Sequence, residues 1–284
     1  MKGAGSGGFV GILGWPLRRT LSPVIHNVAF RRTGLDWTYL SWPVAPESLE
    51  DAVRGLRALG AMGANVTMPH KETVIAHLDE VSGDAQMVGA VNTIQRVGDR
   101  LVGHNTDVDG FAEFLSGDAG FDVRGKTALV LGSGGAARAV VRALDALGAG
   151  AVVIAARSAE KAAALAGLVA DGTASVEEWE KAPVLAGDAG LVVNATPVGS
   201  DGDDALPGAE LRAGQCVVDL VYLPPSTPLV EHARAAGADA WGGLGMLVRQ
   251  AAASFRIWTG QDPPLEAMSA AAVHAIGAYA RNNR

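Results

Sequence analysis

The sequence predicts an α/β protein of two domains, the second built to bind a dinucleotide. Three observations carry this. Apolar strand-like runs and amphipathic helix-like runs alternate along most of the chain. A glycine-rich loop, Leu131-Gly132-Ser133-Gly134-Gly135-Ala136-Ala137, stands between one such strand and one such helix. Two Ala-rich helical stretches come last, with no strand pattern after them. At 284 residues and 49% hydrophobic content, the chain is long and apolar enough to fill a core in each domain.

The elements follow in order. Val10 to Leu13 is a short apolar run and predicts a strand; Ser22-Pro23 opens a helix over Val24 to Thr33; Trp37 to Trp42 alternates apolar and polar residues as a strand does. Glu47 to Leu59 has helical spacing, and Ala61 to Val66 leads toward Pro69. That proline stands where a first helical turn begins, predicting a helix over Glu72 to Val81. Asn92 to Val97, Gly98-Asp99 and Arg100 to Gly103 form a hairpin pattern, after which Asp107 or Val108 starts a helix through Leu115.

From Lys126 the pattern becomes strand Thr127 to Leu131, glycine loop, helix 135–147, strand Ala151 to Ala155, helix 158–170, then strands Leu191 to Ala195 and Cys216 to Val221. Continuous apolar strands of this kind belong to a parallel sheet buried on both faces, hence a Rossmann-type, doubly wound domain. The helices 243–258 and 265–281 are expected to return to the first domain. The chain then crosses twice, near 107 and 243, giving residues 1–107 with 244–284 as an α/β substrate domain and 108–243 as the dinucleotide domain. A cleft between them is where ligands are expected to meet.

Composition narrows the function classes. A net charge of −7 argues against coating nucleic acid, and no apolar run approaches the ~20 residues of a membrane span. The opening Met1 to Gly8 lacks a signal peptide's apolar core and reads as a flexible lead-in, so the expectation is a soluble, cytoplasmic protein. Cys216, the single cysteine, sits in an apolar strand pattern as a core thiol. The histidines have no third ligand at a suitable spacing, so no metal is expected, and neither a serine triad nor a nucleophile elbow is present.

The residues that carry chemistry cluster. Asn65-Val-Thr67-Met-Pro-His-Lys71, Gly89-Ala-Val-Asn92-Thr93 and His104-Asn105-Thr106-Asp107 supply groups able to hold a polyol, with one ammonium and one carboxylate to move a proton. Lys71, in the first turn of the expected helix, would have its positive charge disfavoured by the dipole, and Asp107 would favour it. Plainer roles stay open: a solvated lysine, helix caps at Asp107 and Ser22, and backbone partners at Asn92 and Thr93. The glycine loop places backbone amides against a pyrophosphate. After the second strand stands Ala156-Arg157-Ser158, with Lys161 a turn on, rather than the acid usual for NAD; this predicts NADP, unless Arg157 and Lys161 merely face water.

Taken together these residues resemble the shikimate dehydrogenase family over almost the whole chain. Thr20-Leu-Ser22-Pro23 resembles its Ser-x-Ser-Pro; Asn65 to Lys71, Gly89 to Thr93 and Asn105 to Asp107 match its motifs, as do Asn194-Ala-Thr196-Pro, Asp219-Leu-Val-Tyr222-x-Pro224 and Gly243-Leu-Gly-Met246-Leu-x-x-Gln250. The resemblance implies reversible NADPH-dependent reduction of 3-dehydroshikimate to shikimate in aromatic amino acid (chorismate) biosynthesis. It implies Lys71 and Asp107 as the catalytic pair, Thr20 and Ser22 on the substrate carboxylate, and Thr67, Asn92, Asp107 and Gln250 on the ring hydroxyls, with Tyr222 a further candidate. On the cofactor side it implies Gly132, Ser133, Gly134, Gly135, Ala136, Ala156, Arg157, Ser158, Lys161, Thr196, Leu220 and Gly243.

Three positions depart from the family. Thr20 stands where Ser is common, which brings quinate in as a second substrate; Arg19 replaces a common His; Ala156 replaces the Asn usual before Arg157. The alternatives are a quinate/shikimate dehydrogenase using NAD and a non-catalytic sensor of nucleotide and metabolite. Monomer and homodimer are both compatible with the sequence.

Overall fold

The computed structural model describes residues 7–17, 20–170 and 172–282, and the chain forms two compact units. One holds the described residues up to Thr106 and those from Val248 on; the other is Asp107–Leu247. The first six residues of the expected lead-in lie outside the described residues.

The first unit begins β1 (Gly8–Gly14), α1 (Ser22–Arg32), β2 (Trp37–Pro43) and α2 (Leu49–Ala58), the last entered through a 3-10 turn Pro46–Ser48. Then come β3 (Gly63–Val66), β4 (Glu80–Val81), α3 (Gly83–Val88) and the hairpin β5 (Thr93–Val97) and β6 (Arg100–His104). They form one mixed sheet in the order β2-β1-β3-β5-β6-β4. One face buries Leu13, Ala64, Val66, Ile94 and Leu101 under Leu49, Val53 and Leu56 of α2, the apolar positions of an amphipathic helix.

The expected helix over Glu72–Val81 does not form. Thr73–His77 is a short 3-10 helix, and the chain then extends. Asp79 and Ser82 donate their N–H groups to Leu101 and Gly103 carbonyls (3.1 and 2.8 Å), and the Asp79 carboxylate accepts from Leu101 N–H (2.7 Å) and Arg57. Edge pairing onto β6 therefore overrides the local helical pattern. With no α-helix starting at Pro69, the dipole argument for Lys71 lapses. His70 is buried, its Nε2 against the Val44 carbonyl (2.7 Å).

The second unit opens with α4 (Asp107–Glu113), which continues as a π-helical turn Phe114–Asp118. There follow β7 (Thr127–Leu131), α5 (Gly135–Ala146), β8 (Ala151–Ala156), α6 (Ala159–Ala166), β9 (Ala174–Glu178), α7 (Ala182–Ala186), β10 (Leu191–Asn194), β11 (Cys216–Asp219), α8 (Pro228–Ala235) and β12 (Asp239–Gly242). All six strands are parallel, ordered β12-β11-β10-β7-β8-β9. Alternate residues serve opposite layers: Ala128, Val130, Leu191 and Val193 pack on one side, Leu129, Leu131, Val192 and Val217 on the other. Cys216 is buried in the first of these layers, and burial with the Asp239 charge pushes its thiol up to about 12. Helix α6 ends at Ala166, short of the expected 170, and β11 ends at Asp219 rather than Val221.

The two last helices, α9 (Leu244–Thr259) and α10 (Leu265–Asn282), follow β12. From Val248 on they belong to the first unit, where Phe255 stacks on Phe30 (5.7 Å between centroids) and Trp258 Nε1 donates to the Ile94 carbonyl (2.9 Å). No helix among the described residues is long and apolar enough to cross a membrane.

In the layer beneath these helices His26 of α1 is fully buried, stacked parallel on Tyr39 (4.5 Å) and beside Trp258 (5.2 Å). Neither ring nitrogen has a hydrogen-bond partner, and burial pushes its pKa down to about 3. A group whose folded pKa lies below its unfolded value of 6.5 withdraws stability as pH falls through that window, because only the unfolded chain takes the proton. His26→Phe removes the burden. In urea titrations its advantage over the parent should grow by about 3 kcal/mol between pH 7 and pH 4.

Candidate active site

Three sequence-distant segments of the first unit close on one another through backbone bonds. Val91 N–H donates to the Lys71 carbonyl (2.7 Å), Val66 N–H to the Asn92 carbonyl (2.8 Å), and Asn92 N–H to the His104 carbonyl (3.1 Å). Asn105 Nδ2 reaches the Ala90 carbonyl (2.9 Å), and Thr106 N–H donates to Asn92 Oδ1 (2.8 Å). The stretches beside Lys71 and beside Asp107 are thus both pinned to Ala90–Asn92. Lys71 is half-buried in the turn after Pro69, and Thr67 is half-buried just beyond β3.

Thr20 and Ser22 lie at the start of α1, with Thr20 Oγ1 3.2 Å from both Ser22 Oγ and Ser22 N. Ser22 is the first residue of the helix rather than its cap; Leu21 holds the cap position, and the Thr20 hydroxyl accepts from Ser22 N–H. The Ser22 hydroxyl is therefore not committed to the helix. Arg19, beside this pair in sequence, lies outside the described residues. Asn92 does meet a backbone group, at Thr106, and also belongs to a buried cluster of Asn65, Thr93, Thr106 and Ser254. Gln250 lies on α9 in the same unit. Asp107 is buried as the first residue of α4, where the second unit starts; Tyr222, half-buried after β11, also lies in that unit.

The residues expected on the cofactor gather at the C-terminal ends of the second sheet's strands. Gly132 has φ of 107°, and a Cβ there would sit 2.8 Å from the Thr196 methyl, so only glycine fits. At Gly134, by contrast, a Cβ would meet no atom within 4 Å: the backbone at the N-terminus of the twelve-residue α5 borders open space. A glycine-lined opening at helix amides fits a pyrophosphate. Ala156 ends β8 and is buried; Ser158 caps α6 by accepting from Lys161 N–H (3.4 Å), leaving Arg157 and Lys161 exposed. Gly243, where any side chain would collide with the Leu220 carbonyl, donates its N–H to the Val221 carbonyl (3.1 Å). Among the described residues no three His, Cys, Asp or Glu side chains group as a metal site would require.

Three family models match the chain: a shikimate dehydrogenase substrate-binding domain over residues 12–94, a shikimate/quinate 5-dehydrogenase domain over 116–200, and a shikimate 5′-dehydrogenase C-terminal domain over 243–273. A shikimate dehydrogenase (NADP(+)) of Citrifermentans bemidjiense is 45% identical over 262 residues, 89% of this chain and 90% of that one. The chain belongs to the shikimate dehydrogenase family. Among solved structures, a shikimate dehydrogenase in complex with NADP+ aligns with a TM-score of 0.88 at 36% identity, covering 95% of this chain and 96% of that one. The Thermus thermophilus shikimate 5-dehydrogenase in complex with NADP(H) and shikimate aligns with a TM-score of 0.85 at 39% identity, covering 94% and 99%.

Two family-motif residues acquire roles from the structure that the motifs alone did not assign. Asn194 and Asp219, at the ends of β10 and β11, are both wholly buried. Asp219 Oδ1 accepts from Asn194 Nδ2 (2.9 Å) and Val221 N–H (3.0 Å), and Oδ2 from the Thr227 hydroxyl (2.6 Å). Asn194 in turn donates to the Val198 carbonyl (2.9 Å) and accepts from the Thr196 hydroxyl (2.7 Å). Burial raises the Asp219 carboxyl above its ordinary range while these bonds pull it back. The loops carrying Thr196, Leu220 and Tyr222 are thereby folded around one carboxylate.

Asp219→Ala strands three donors in the interior and should cost about 2–4 kcal/mol in urea unfolding. Asp219→Asn keeps the Oδ1 bonds and should lose less than about half of that.

Proposed function

We propose that this chain catalyses the reversible reduction of 3-dehydroshikimate to shikimate by NADPH in chorismate biosynthesis, with residues 1–107 and 244–284 carrying the substrate and 108–243 the dinucleotide. The observation that carries the reading is the closure of the Lys71, Asn92 and Asn105–Thr106 segments on one another. The activity of the relatives named above supports it, and their NADP usage agrees with the exposed Arg157 and Lys161 and the lack of an acid directly after β8. The same consideration disfavours the NAD-linked quinate alternative. The enzyme would act in the cytoplasm, as monomer or homodimer.

When bound, the reduced dinucleotide supplies a hydride to the carbonyl carbon of the ring. Negative charge then grows on the carbonyl oxygen, and Lys71 Nζ, as an ammonium, stabilises it and delivers the proton. In the reverse direction the same amine takes the hydroxyl proton. Asp107, the carboxylate of the proposed pair, accepts from a ring hydroxyl. Thr20 and Ser22 donate hydroxyl protons to the substrate carboxylate, and Thr67, Asn92, Gln250 and Tyr222 fix the ring so that one face meets the hydride. Gly132 to Ala136 offer amides to the pyrophosphate, while Arg157 and Lys161 meet the 2′-phosphate.

Lys71→Ala should lower kcat by roughly 10²–10⁴-fold with a much smaller change in KM for shikimate. Absorbance of the reduced nicotinamide, followed with shikimate and NADP, reads this directly; near-parental turnover would remove Lys71 from the mechanism. The parent should prefer NADP to NAD, and Arg157→Ala should erode that preference by weakening NADP alone. An unaltered NADP-to-NAD ratio in the variant would exclude Arg157 from phosphate recognition.

A further inference from the structure

Ser254 lies on α9 one turn beyond Gln250 and is wholly buried. Its hydroxyl meets four groups from four segments: the Gln250 carbonyl (3.0 Å), Asn65 Nδ2 (3.0 Å), Thr93 Oγ1 (2.8 Å) and Thr106 Oγ1 (3.2 Å). A hydroxyl carries one donor and two acceptor sites, so with its proton on the Gln250 carbonyl it accepts from Asn65 Nδ2 and from the nearer of the two threonine hydroxyls, Thr93, with Thr106 in looser contact. The orientation of the cluster follows. Tyr39 OH donates to Asn65 Oδ1 (2.8 Å), which turns Asn65 Nδ2 toward Ser254; Thr106 N–H can only donate, which turns Asn92 Oδ1 toward it and Asn92 Nδ2 onto Thr106 Oγ1 (2.9 Å).

We propose that Ser254 is a positioning residue that, through Thr93 and Thr106, sets Asn92 and, through the α9 backbone, sets Gln250, so that two ring-hydroxyl ligands on separate elements keep a fixed spacing. The inference rests on the reading of shikimate as substrate and of Asn92 and Gln250 as its ligands. A buried polar cluster that is fully paired holds its members in a single arrangement, and losing one hydroxyl frees two ligands at once. Ser254 touches neither substrate nor cofactor; it acts through its neighbours.

Steady-state kinetics on the full-length chain test this, with KM for shikimate and KM for NADP measured separately for the parent, Ser254→Ala, Thr106→Val and Thr106→Ser, and thermal melts to show folding. Ser254→Ala and Thr106→Val should each raise KM for shikimate about tenfold, the scale of one lost aiming hydrogen bond, while KM for NADP stays within twofold. Thr106→Ser, which keeps the hydroxyl, should stay near the parent. If Ser254→Ala does not fold, the contrast between Thr106→Val and Thr106→Ser decides. Shikimate KM within twofold of the parent in the hydroxyl-less variants, or both KM values rising together, overturns the positioning role and leaves the substrate reading intact. A parent that does not turn over shikimate overturns both.

Discussion

An amide or hydroxyl shut away from water must find its partners inside the protein, and in the first unit that requirement concentrates on Asn92. Its carbonyl holds β3, its N–H holds β6, and its side chain holds the stretch that leads into Asp107. The side chain both accepts from Thr106 N–H and donates to Thr106 Oγ1, which requires a group with a donor and an acceptor, as a carboxamide has. In the proposed reading, the residue that binds the ring is the one whose bonds complete the sheet. The structural reading of Asn92 is met by these bonds, and the functional one stands as the proposal.

The second unit solves a parallel problem with a charge. Asp219 has no exposed surface, so its carboxylate is tolerable only where donors converge on it. Asn194, Thr227 and Val221 N–H supply them, and each comes from a loop or strand end on the side of the sheet where Gly132 and Gly243 sit in close packing. Ligand crevices of open parallel sheets lie outside the carboxyl ends of the strands, where main-chain ladders have run out and loops have no intrinsic order. A buried carboxylate replaces that missing order.

How much of this could be read beforehand depended on how local the determining forces were. β7 was legible to the residue, because a strand covered on both faces must be apolar throughout, and the glycine loop fixed its end. β9, with the sequence Ala-Ser-Val-Glu-Glu, lies at the sheet edge, half in water, and carries no such run. Residues 72–81 have a helical pattern, yet their partner lies twenty residues on, in β6, and only that pairing makes them extend. At the site, Lys71, Asn92 and Asp107 stood out as polar residues in motif spacing. Ser254 did not: one small polar residue in an Ala-rich helix looks like any other until Asn65, Thr93 and Thr106 are seen around it.

The first unit is assembled from chain segments that flank the whole of the second. On a ribosome, β1 to β6 emerge early, with Phe30 and Tyr39 on a face whose cover, Phe255 and Trp258, is synthesised only after the whole of the second unit. The intervening unit holds its six parallel strands within itself and is free to mature first. Throughout that interval the aromatic layer of the first unit lacks the two rings, Phe255 and Trp258, that close over it in the folded chain.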